Sequence, residues 1–281
     1  MPELPEVETI AANLRNGSAQ IPSILEMEIN KAHVFWHKTI AEPSVEDFLA
    51  KIRGRFFTSV KRRGKFIHFP LDQGHLIIHL RMSGDLFLRP GSAYQDPSYP
   101  SDQHTRIIFH LENDWDLVFH DTRKFGRIWL LDDPQQLFQK LGPEPFDQSL
   151  TAESFFLMLH KRKRILKPLL MDQTFLAGLG NIYTDEALFR AGISPKEISD
   201  RLNLEQAEKL LVSIREVLKE GIRHNGSSID WVYRGGDFQN HFCVYQRSGE
   251  ACPRCGTAIK RIVVGQRGTH YCPICQPLIN I

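Results

Sequence analysis

The first residues of the chain, Met1 to Glu6, carry groups that can do covalent chemistry. Methionine aminopeptidases generally remove Met1 before a small second residue, and the mature chain would then begin at Pro2 with a free secondary amine. An α-amino group titrates near pH ~8, so an appreciable share is neutral and nucleophilic at neutral pH. With the Glu3 carboxylate beside it to shuttle a proton, this amine can attack an electrophilic carbon and form a Schiff base. The alternative is that Pro2 and Pro5 merely stiffen a chain end.

Four of the five cysteines form two spaced pairs near the C-terminus, Cys252 with Cys255 and Cys272 with Cys275. Two such pairs joined by a short hairpin can place four thiolates around one Zn²⁺ and leave no coordination position open. The pattern therefore predicts one structural zinc ion, with a metal-free or disulfide-linked hairpin as the alternative. The fifth cysteine, Cys243, lies in the apolar, strand-like run HFCVY and is expected to be a buried bystander.

Two glycine-containing turns indicate contacts with nucleic acid. Arg267 precedes Gly268 in the hairpin between the cysteine pairs, where close backbone approach lets the tip enter a groove. An ordinary surface arginine is the alternative. The GLGNIY turn combines glycines, the N-terminal amides of a following helix and the Asn181 side chain, which together make a phosphate site. A helix C-cap is the alternative there.

Three further positions have a chemical and a bland interpretation. Lys65 follows a glycine at the start of a strand, away from acids, which suits proton transfer if the lysine is buried or crowded by cations. An exposed strand lysine is the alternative. Met82 and Phe125 are apolar side chains in turns beside Arg81 and Arg123. Apolar wedges next to arginines can unstack a base and hold the gap open, whereas ordinary turn packing is the alternative.

The elements that must position these groups change character along the chain. Hydrophobic spacing predicts a helix over residues 5–16, with Pro2 at its N-terminal mouth. Between about residues 21 and 132, β-rich runs follow one another without intervening helices, which favours an antiparallel β-sandwich or barrel. These runs are FFTSV, KFIHFP, HLIIHL, DLFLRP, TRIIFHL, DLVFHD and GRIWLL.

The rest of the chain predicts helices and then the cysteine module. Helical segments are TAESFFLMLHKRKRI, PLLMDQTFL, the stretch after GLGN, and a long amphipathic helix over residues 199–222. The predicted fold class is α+β and multidomain. The predicted division is an N-terminal catalytic domain (1–133), a linker (134–150), a helical domain (151–240) and a zinc finger (241–281).

Charge and hydropathy narrow the class of protein. The net charge is only +2, but lysines and arginines come in blocks, namely residues 51–65 without an acid and HKRKRILK at 160–167. Such blocks usually form a solvated face, and in a minority of cases they bind nucleic acid. The sequence contains no run of about 18 apolar residues, so no membrane span is predicted. The acidic start lacks the pattern of a secretory signal, so we expect a cytoplasmic protein.

The ordered set PELPE, RRGK, HLRMSG, DTRKFG, LGPEP, GLGNIY, GSS and CPRCG…RGTHYCPICQ resembles the formamidopyrimidine-DNA glycosylase family along essentially the whole chain. The resemblance implies a β-sandwich, a helix–two-turn–helix domain and a zinc finger. It also implies a bifunctional DNA glycosylase and AP lyase of base excision repair, which removes oxidised purines and then cleaves the strand by β,δ-elimination. Damaged duplex DNA is the implied partner, one Zn²⁺ the implied cofactor, and a monomer in the bacterial cytoplasm the expected state.

The resemblance also implies roles for individual residues. Pro2 is the expected nucleophile and Glu3 its acid/base partner, Lys65 the proton donor at β-elimination, and Arg267 the arginine used at δ-elimination. The void left by the flipped base is filled by Met82, Arg123 and Phe125, with Arg123 facing the orphaned cytosine. The remaining expected DNA contacts are His79, His104, Arg162, Lys167 and Asn181, and the metal ligands are Cys252, Cys255, Cys272 and Cys275.

Three alternatives remain open on the sequence. An endonuclease VIII-like preference for oxidised pyrimidines is one, although the PELPE start resembles the purine branch more. A non-catalytic zinc-finger binder of DNA damage is the second, and a small-molecule enzyme using an N-terminal proline, as tautomerases do, is the third. Two features depart from the family: residues 227–239 form a shorter segment, and SDQHTR lacks the lysine often seen before His104.

Overall fold

The structure is a computed structural model that describes residues 1–91, 102–228 and 235–279. The expectations that concern residues 227–239 and the SDQHTR segment fall partly outside these residues. The chain forms two compact units of interleaved sequence. The first unit consists of Met1–Pro2, Glu6–Gln139 and Ser228–Gly235, and the second of Glu3–Pro5, Lys140–Ser227 and Gly236–Ile281.

Two β-sheets make up most of the first unit. Its strands are β1 (Ile29–Val34), β2 (Ile40–Glu42), β3 (Lys61–Arg63), β4 (Phe66–Pro70), β5 (His75–His79), β6 (Gly84–Pro90), β7 (Thr105–Leu111), β8 (Trp115–Asp121) and β9 (Arg127–Leu131). One sheet has the order β1-β7-β8-β6 and the other β2-β9-β5-β4-β3. One apolar cluster contains side chains from both sheets, such as Phe109 and Ile78. This shared core is that of a sandwich.

The antiparallel expectation holds for every strand pair described except one. β2 pairs with β9 in parallel. Because β2 has only three residues, its sequence carries too little pattern to indicate a direction. The run FFTSV was wrongly predicted as a strand, since it forms only isolated bridges such as Phe57 with Leu71.

Two helices of eight or more residues accompany the sheets. α1 (Leu4–Asn16) begins one residue before the predicted helix and ends where it was predicted to end. α2 (Val45–Ile52) was not predicted. Its signals are nevertheless present, because Ser44 accepts a hydrogen bond from the Asp47 amide at 3.1 Å and Phe48 is buried. Eight residues among strand-like runs were too few to show a helical period.

Helices dominate the second unit. After α3 (Gln135–Phe138) in the first unit, the helices are α4 (Ala152–His160), α5 (Leu166–Leu170), α6 (Asn181–Ala191) and α7 (Leu204–Arg223). α7 starts later than predicted because Asn203 and Gln206 form a capping box that fixes its first turn. The hairpin of β10 (Lys260–Val264) and β11 (Arg267–Tyr271) completes the unit. Of the helices described, none has the length and apolarity to cross a membrane.

Candidate active site and zinc centre

The side-chain carboxylate of Glu3, near the N-terminus of the chain, is fixed by the first turn of α6. Glu3 is 2% exposed, and its two carboxylate oxygens accept hydrogen bonds from the amides of Ile182 at 3.0 Å and Tyr183 at 3.4 Å. The first amides of a helix have no partners within the helix and carry its positive end, so they suit an anion. These two amides therefore bind the protein's own carboxylate, and the phosphate contact expected at Asn181 stays a prediction.

The glycines of the GLGNIY turn make room for this docking. A Cβ on Gly180 would clash with the Glu3 carboxyl carbon. Gly178 has φ +99°, and a Cβ there would lie 2.5 Å from Leu4 Cδ1. The Leu4 amide also donates to the Gly178 carbonyl at 3.1 Å. The turn is thus shaped to receive the N-terminal segment of the chain.

Pro2 lies immediately before this anchored segment and is buried. In the encoded chain its nitrogen is in a peptide bond with Met1. The nitrogen becomes a basic, nucleophilic amine only once Met1 has been removed, since an amide lone pair is delocalised. Pro2 thus directly precedes a fixed acid in the sequence, and its role as a nucleophile stays a prediction that requires removal of Met1.

Lys167 is buried, although its sequence resemblance predicts a position near a DNA phosphate. Its side chain is 0% exposed, and its Nζ lies 2.7 Å from Asp185 Oδ1 and donates to the Gly268 carbonyl at 3.0 Å. Burial lowers the pKa of Lys167, while Asp185 and Glu3 oppose this effect and Arg267 adds to it. Lys167 is therefore part of a buried charge network that includes the neighbourhood of Glu3 and Arg267.

Asn181 joins the same network at the start of α6. Its Nδ2 donates to the Gly268 carbonyl at 3.1 Å and to the Tyr245 hydroxyl at 3.4 Å. Among the described residues, its buried Oδ1 has no hydrogen-bond donor. Since Gly268 follows Arg267 in β11, both Lys167 and Asn181 fix the backbone that carries this arginine.

Two consecutive acids on α6, Asp185 and Glu186, attach the finger to the helical core. Glu186 is 4% exposed and accepts hydrogen bonds from the amides of Cys243, Val244 and Tyr245 at 2.8 to 2.9 Å. Asp185 Oδ2 accepts from the His270 amide at 2.9 Å. Burial raises the pKa of Glu186, and the three amides oppose it.

These acids explain two outcomes of the sequence analysis. The HFCVY run was wrongly predicted as a strand, because its amides bind Glu186 instead of a neighbouring strand. Cys243 is half-buried in the finger's apolar cluster, and burial raises the pKa of its thiol to about 11, which fits a bystander. Sequence reasoning missed both acids, although two adjacent carboxylates in a helix with only one other charged residue, Arg190, were a visible signal.

The four predicted zinc ligands converge. The Sγ atoms of Cys252, Cys255, Cys272 and Cys275 all lie within 4.8 Å of one another. Cys252 and Cys275 are 3.8 Å apart and Cys255 and Cys272 3.5 Å apart. Tetrahedral Zn–S bonds of about 2.3 Å require S–S separations of about 3.8 Å. The cluster therefore fits one structural Zn²⁺, as predicted.

In the first unit, Lys65 and His79 lie in a buried, cationic environment. Lys65 is 5% exposed, so the exposed-lysine alternative does not hold. Burial lowers the pKa of His79 to about 3, and the charges of Arg81 and Lys65 add to the shift. The Arg81 amide donates to His79 Nδ1 at 2.9 Å. The neutral ring therefore carries its proton on Nε2, which can donate to an anion.

One carboxylate organises the two turns that carry the predicted wedge residues. Asp121 is 1% exposed and accepts from the amides of Arg123 at 3.2 Å and Gly126 at 2.7 Å. It also forms a short hydrogen bond with the Ser83 hydroxyl, which follows Met82 in the other turn. Sequence reasoning missed Asp121 and Ser83, although both belong to the motifs it used.

The wedge side chains themselves remain exposed. Met82 is 37% and Phe125 46% exposed, and the Arg123 guanidinium carbon lies 4.9 Å from the Phe125 ring centroid. The packing alternative therefore does not hold for these two side chains. The structure brings Met82, Arg123 and Phe125 onto turns held by the same acid.

The two remaining predicted DNA contacts lie in loops. His104 is half-buried ahead of β7, and its ring lies edge-on to His120 at a centroid distance of 5.6 Å. Arg162 is exposed after α4, and its carbonyl accepts a short hydrogen bond from the Ser199 hydroxyl. The Arg162 side chain is thus on the surface, where an anion can reach it.

Comparison with known proteins agrees with this geometry. Three family models match: the Formamidopyrimidine-DNA glycosylase N-terminal domain over residues 1–128, the Formamidopyrimidine-DNA glycosylase H2TH domain over 141–232, and the zinc finger found in FPG and IleRS over 249–278. A formamidopyrimidine-DNA glycosylase of Protochlamydia amoebophila is 41% identical, covering 98% of this chain and 99% of its own. One of Chloroflexus aggregans is 42% identical and covers 100% of both chains.

Solved structures give the same result. A structure of MutM bound to DNA containing carbocyclic 8-oxo-G has a TM-score of 0.88 and 35% identity, covering 98% of this chain and 100% of its own. Lactococcus lactis Fpg bound to Fapy-dG DNA has a TM-score of 0.87 at 35% identity, with the same coverage.

Fold, anchored N-terminus and four-cysteine centre together define a zinc-finger DNA glycosylase of base excision repair. The chain belongs to the formamidopyrimidine-DNA glycosylase family, whose members are glycosylases and AP lyases. The predicted family, fold class, enzymatic activity and zinc finger are thereby confirmed.

Proposed function

We propose that this glycosylase removes oxidised purines, 8-oxoguanine and formamidopyrimidines, from duplex DNA and then cleaves the strand. The observation that carries the proposal is the Glu3 carboxylate, held on the amides of α6 directly beside Pro2 in the chain. The solved relatives bound to 8-oxo-G and Fapy-dG DNA support this class of substrate. The target nucleotide must leave the base stack, because C1′ is inaccessible inside it.

In the proposed reaction the Pro2 amine, freed of Met1, attacks C1′ of the flipped nucleotide. The base departs with the electrons of the glycosidic bond and takes a proton from water. The proton that the amine loses passes through Glu3 to the sugar ring oxygen, as the bond between C1′ and that oxygen breaks with its electrons going to the oxygen. The product is an iminium between Pro2 and an open sugar. Fixing Glu3 before the substrate arrives removes the entropic cost of orienting it.

The iminium acidifies the neighbouring sugar carbon, so that elimination can break the bond to the 3′ phosphate and then the bond to the 5′ phosphate. We assign Lys65 to proton transfer at the first elimination because Lys65 is buried and lies close enough to His79 to lower the pKa of His79. We assign Arg267 to the second, because its backbone is fixed by Lys167 and Asn181 through the Gly268 carbonyl.

We further propose which residues bind DNA. His79 donates its Nε2 proton to a phosphate, and His104 and Arg162 contact the backbone from their loops. Met82 and Phe125 occupy the gap left by the flipped base, and Arg123 faces the orphaned base. In this proposal Lys167 and Asn181 position the finger, since their donors bind the Gly268 carbonyl. A monomer carries every one of these groups, so we expect it to act alone in the cytoplasm.

Borohydride trapping tests the proposal, because borohydride reduces an iminium to a stable amine. The duplex carries 8-oxoguanine opposite cytosine, and mass mapping identifies the cross-linked peptide. We expect a cross-link at Pro2 of a chain that has lost Met1. Capture on thymine glycol with none on 8-oxoguanine would instead assign the oxidised pyrimidines as substrate.

Two variants separate the roles of amine and acid. Pro2→Gly replaces the secondary amine by a primary one, so trapping should slow strongly while binding of an abasic-site analogue persists. Glu3→Gln keeps the shape of the side chain but cannot shuttle a proton, and base excision should fall by roughly 10²–10⁴-fold. The exposed Glu205→Gln serves as the matched control. Unchanged excision by Glu3→Gln would remove the acid from the mechanism.

A further inference from the structure

A second cluster of metal-ligating side chains lies apart from the zinc finger cysteines. His224, Asp237 and His241 each offer one ligand atom, and these atoms all lie within 4.8 Å of one another. His224 Nδ1 is 2.9 Å from Asp237 Oδ1. The imidazole rings of His224 and His241 have a centroid distance of 3.9 Å. The glycosylase reaction proposed above uses none of these side chains.

The backbone prepares this arrangement. His224 caps the C-terminus of α7, and Asp237 precedes the 3-10 helix Phe238–His241. The Asp237 amide donates to the His224 carbonyl at 3.0 Å, and the Phe238 amide to the Gly226 carbonyl at 3.0 Å. Backbone hydrogen bonds therefore hold the C-terminus of α7 and the start of the 3-10 helix together before an ion binds. Little conformational entropy then remains to be lost on binding.

We propose that His224, Asp237 and His241 bind a divalent transition metal ion of the Zn²⁺, Ni²⁺ or Cu²⁺ type. Two imidazoles and one carboxylate suit these ions and leave coordination positions for water, whereas Mg²⁺ and Ca²⁺ prefer oxygen ligands. Metal–ligand bonds of about 2.0–2.2 Å require ligand atoms about 3–4 Å apart, so the cluster needs only a small contraction. The side chains of His224 and Asp237 are 17% and 59% exposed, so an ion can enter from solvent.

The bound ion would tether the end of α7 to Asp237 and to the 3-10 helix that follows it. The ion therefore stabilises the folded chain by mass action, because the unfolded chain does not hold the three ligands together. One neighbour opposes the ion, because Arg223 Nη2 lies 3.3 Å from His224 Nε2 and places a positive charge beside the site.

The test uses tag-free, full-length protein with its finger zinc retained, titrated with Ni²⁺ by calorimetry. We expect one equivalent of Ni²⁺ to bind without loss of zinc, and the melting temperature to rise. His241→Ala and Asp237→Asn should each weaken this binding by about 10-fold or more, because even groups outside the ligand set change affinity ~10–100-fold. Arg223→Gln should tighten it, a gain that a merely structural cluster does not predict.

The control is His37→Ala, which removes an exposed histidine in the other unit and should bind as the wild type does. Paired histidines elsewhere, such as His68 and His75 with ring nitrogens 3.0 Å apart, contribute a background common to all variants. A superhyperfine pattern from two nitrogens in the Cu²⁺ spectrum, reduced to one in His241→Ala, would identify the ligands directly. Equal stoichiometry and affinity for wild type and His241→Ala would overturn the proposal.

Discussion

Buried carboxylates organise both units, but what they hold differs. In the second unit, Asp185 and Glu186 bind backbone amides and a lysine that are themselves buried. In the first unit, Asp121 binds two turns whose apolar side chains, Met82 and Phe125, remain exposed. The acids of the second unit fix buried groups relative to one another, whereas Asp121 in the first unit presents exposed groups to a partner.

This difference separates stability from recognition. Removing one member of a buried charge network leaves another charge desolvated and unpaired, so the folded state suffers first. Removing an exposed apolar side chain costs the folded state little, because much of its surface is in water already. Variants in the two regions should therefore affect different measurements.

The largest expected loss of stability comes from Lys167→Met, which leaves the Asp185 carboxylate buried without its cation. We expect the free energy of unfolding to fall by about 3–5 kcal/mol, measured by urea denaturation. The exposed Lys196→Met serves as the matched control. The double variant with Asp185→Asn should recover part of the loss, and a single-variant loss below about 1 kcal/mol would contradict the buried pair.

Asp121→Asn should have the next largest effect. The asparagine side chain keeps the shape of the carboxylate, but the substitution removes a charged acceptor. The side-chain nitrogen then faces other donors, such as the Gly126 amide. We expect a loss of about 2 kcal/mol in the free energy of unfolding, together with weaker binding of a duplex containing an abasic-site analogue. The exposed Asp132→Asn is the control. Stability lost without any change in DNA binding would show that the turns do not present the wedge residues.

The third prediction concerns pH. Burial depresses the pKa of His79 from 6.5 to about 3, so between these values the unfolded chain binds a proton that the folded chain excludes. The stability that the neutral ring confers is complete above pH 6.5 and decreases as the pH falls toward 3, by up to about 1.4 kcal/mol per unit. His79→Asn should flatten this part of the stability curve. Parallel stability curves for the variant and the wild type would contradict the lowered pKa of His79.

The smallest effect on stability is expected for Phe125→Ala, within about 0.5 kcal/mol of the wild type. Single-turnover excision of 8-oxoguanine should nevertheless slow, because the gap in the base stack loses its apolar occupant. Phe87→Ala removes an aromatic side chain of similar exposure, 38%, from β6 and should change neither quantity. If Phe125→Ala destabilised the fold as strongly as Asp121→Asn, the contrast between the two regions would not hold.

The parts of this structure that the sequence could predict are those with local patterns. The period of α1, the cysteine spacing and most strand runs needed no knowledge of distant partners. α2 was missed because eight residues among strands carry a weak period. The FFTSV run was misassigned because β-propensity does not tell whether a neighbouring strand is present.

Long-range partners account for what the sequence could not show at the site. Nothing near Glu3 in the sequence indicates that Ile182 and Tyr183 supply its hydrogen bonds. Lys167 belongs to a basic block whose composition predicts an exposed position, yet its side chain is buried in an ion pair with Asp185. Such pairings depend on the folded chain, so only motif types and not their partners were predictable.

The tight fit around Gly180 has a genetic consequence. Any single-base change that replaces the encoded glycine produces either a stop or a residue with a Cβ, and a Cβ at this position would clash with the Glu3 carboxyl carbon. Glycine codons begin with two guanines, the base whose oxidised form we propose as the substrate. An unrepaired lesion in this codon of the gene would therefore tend to disable the repair of the next one.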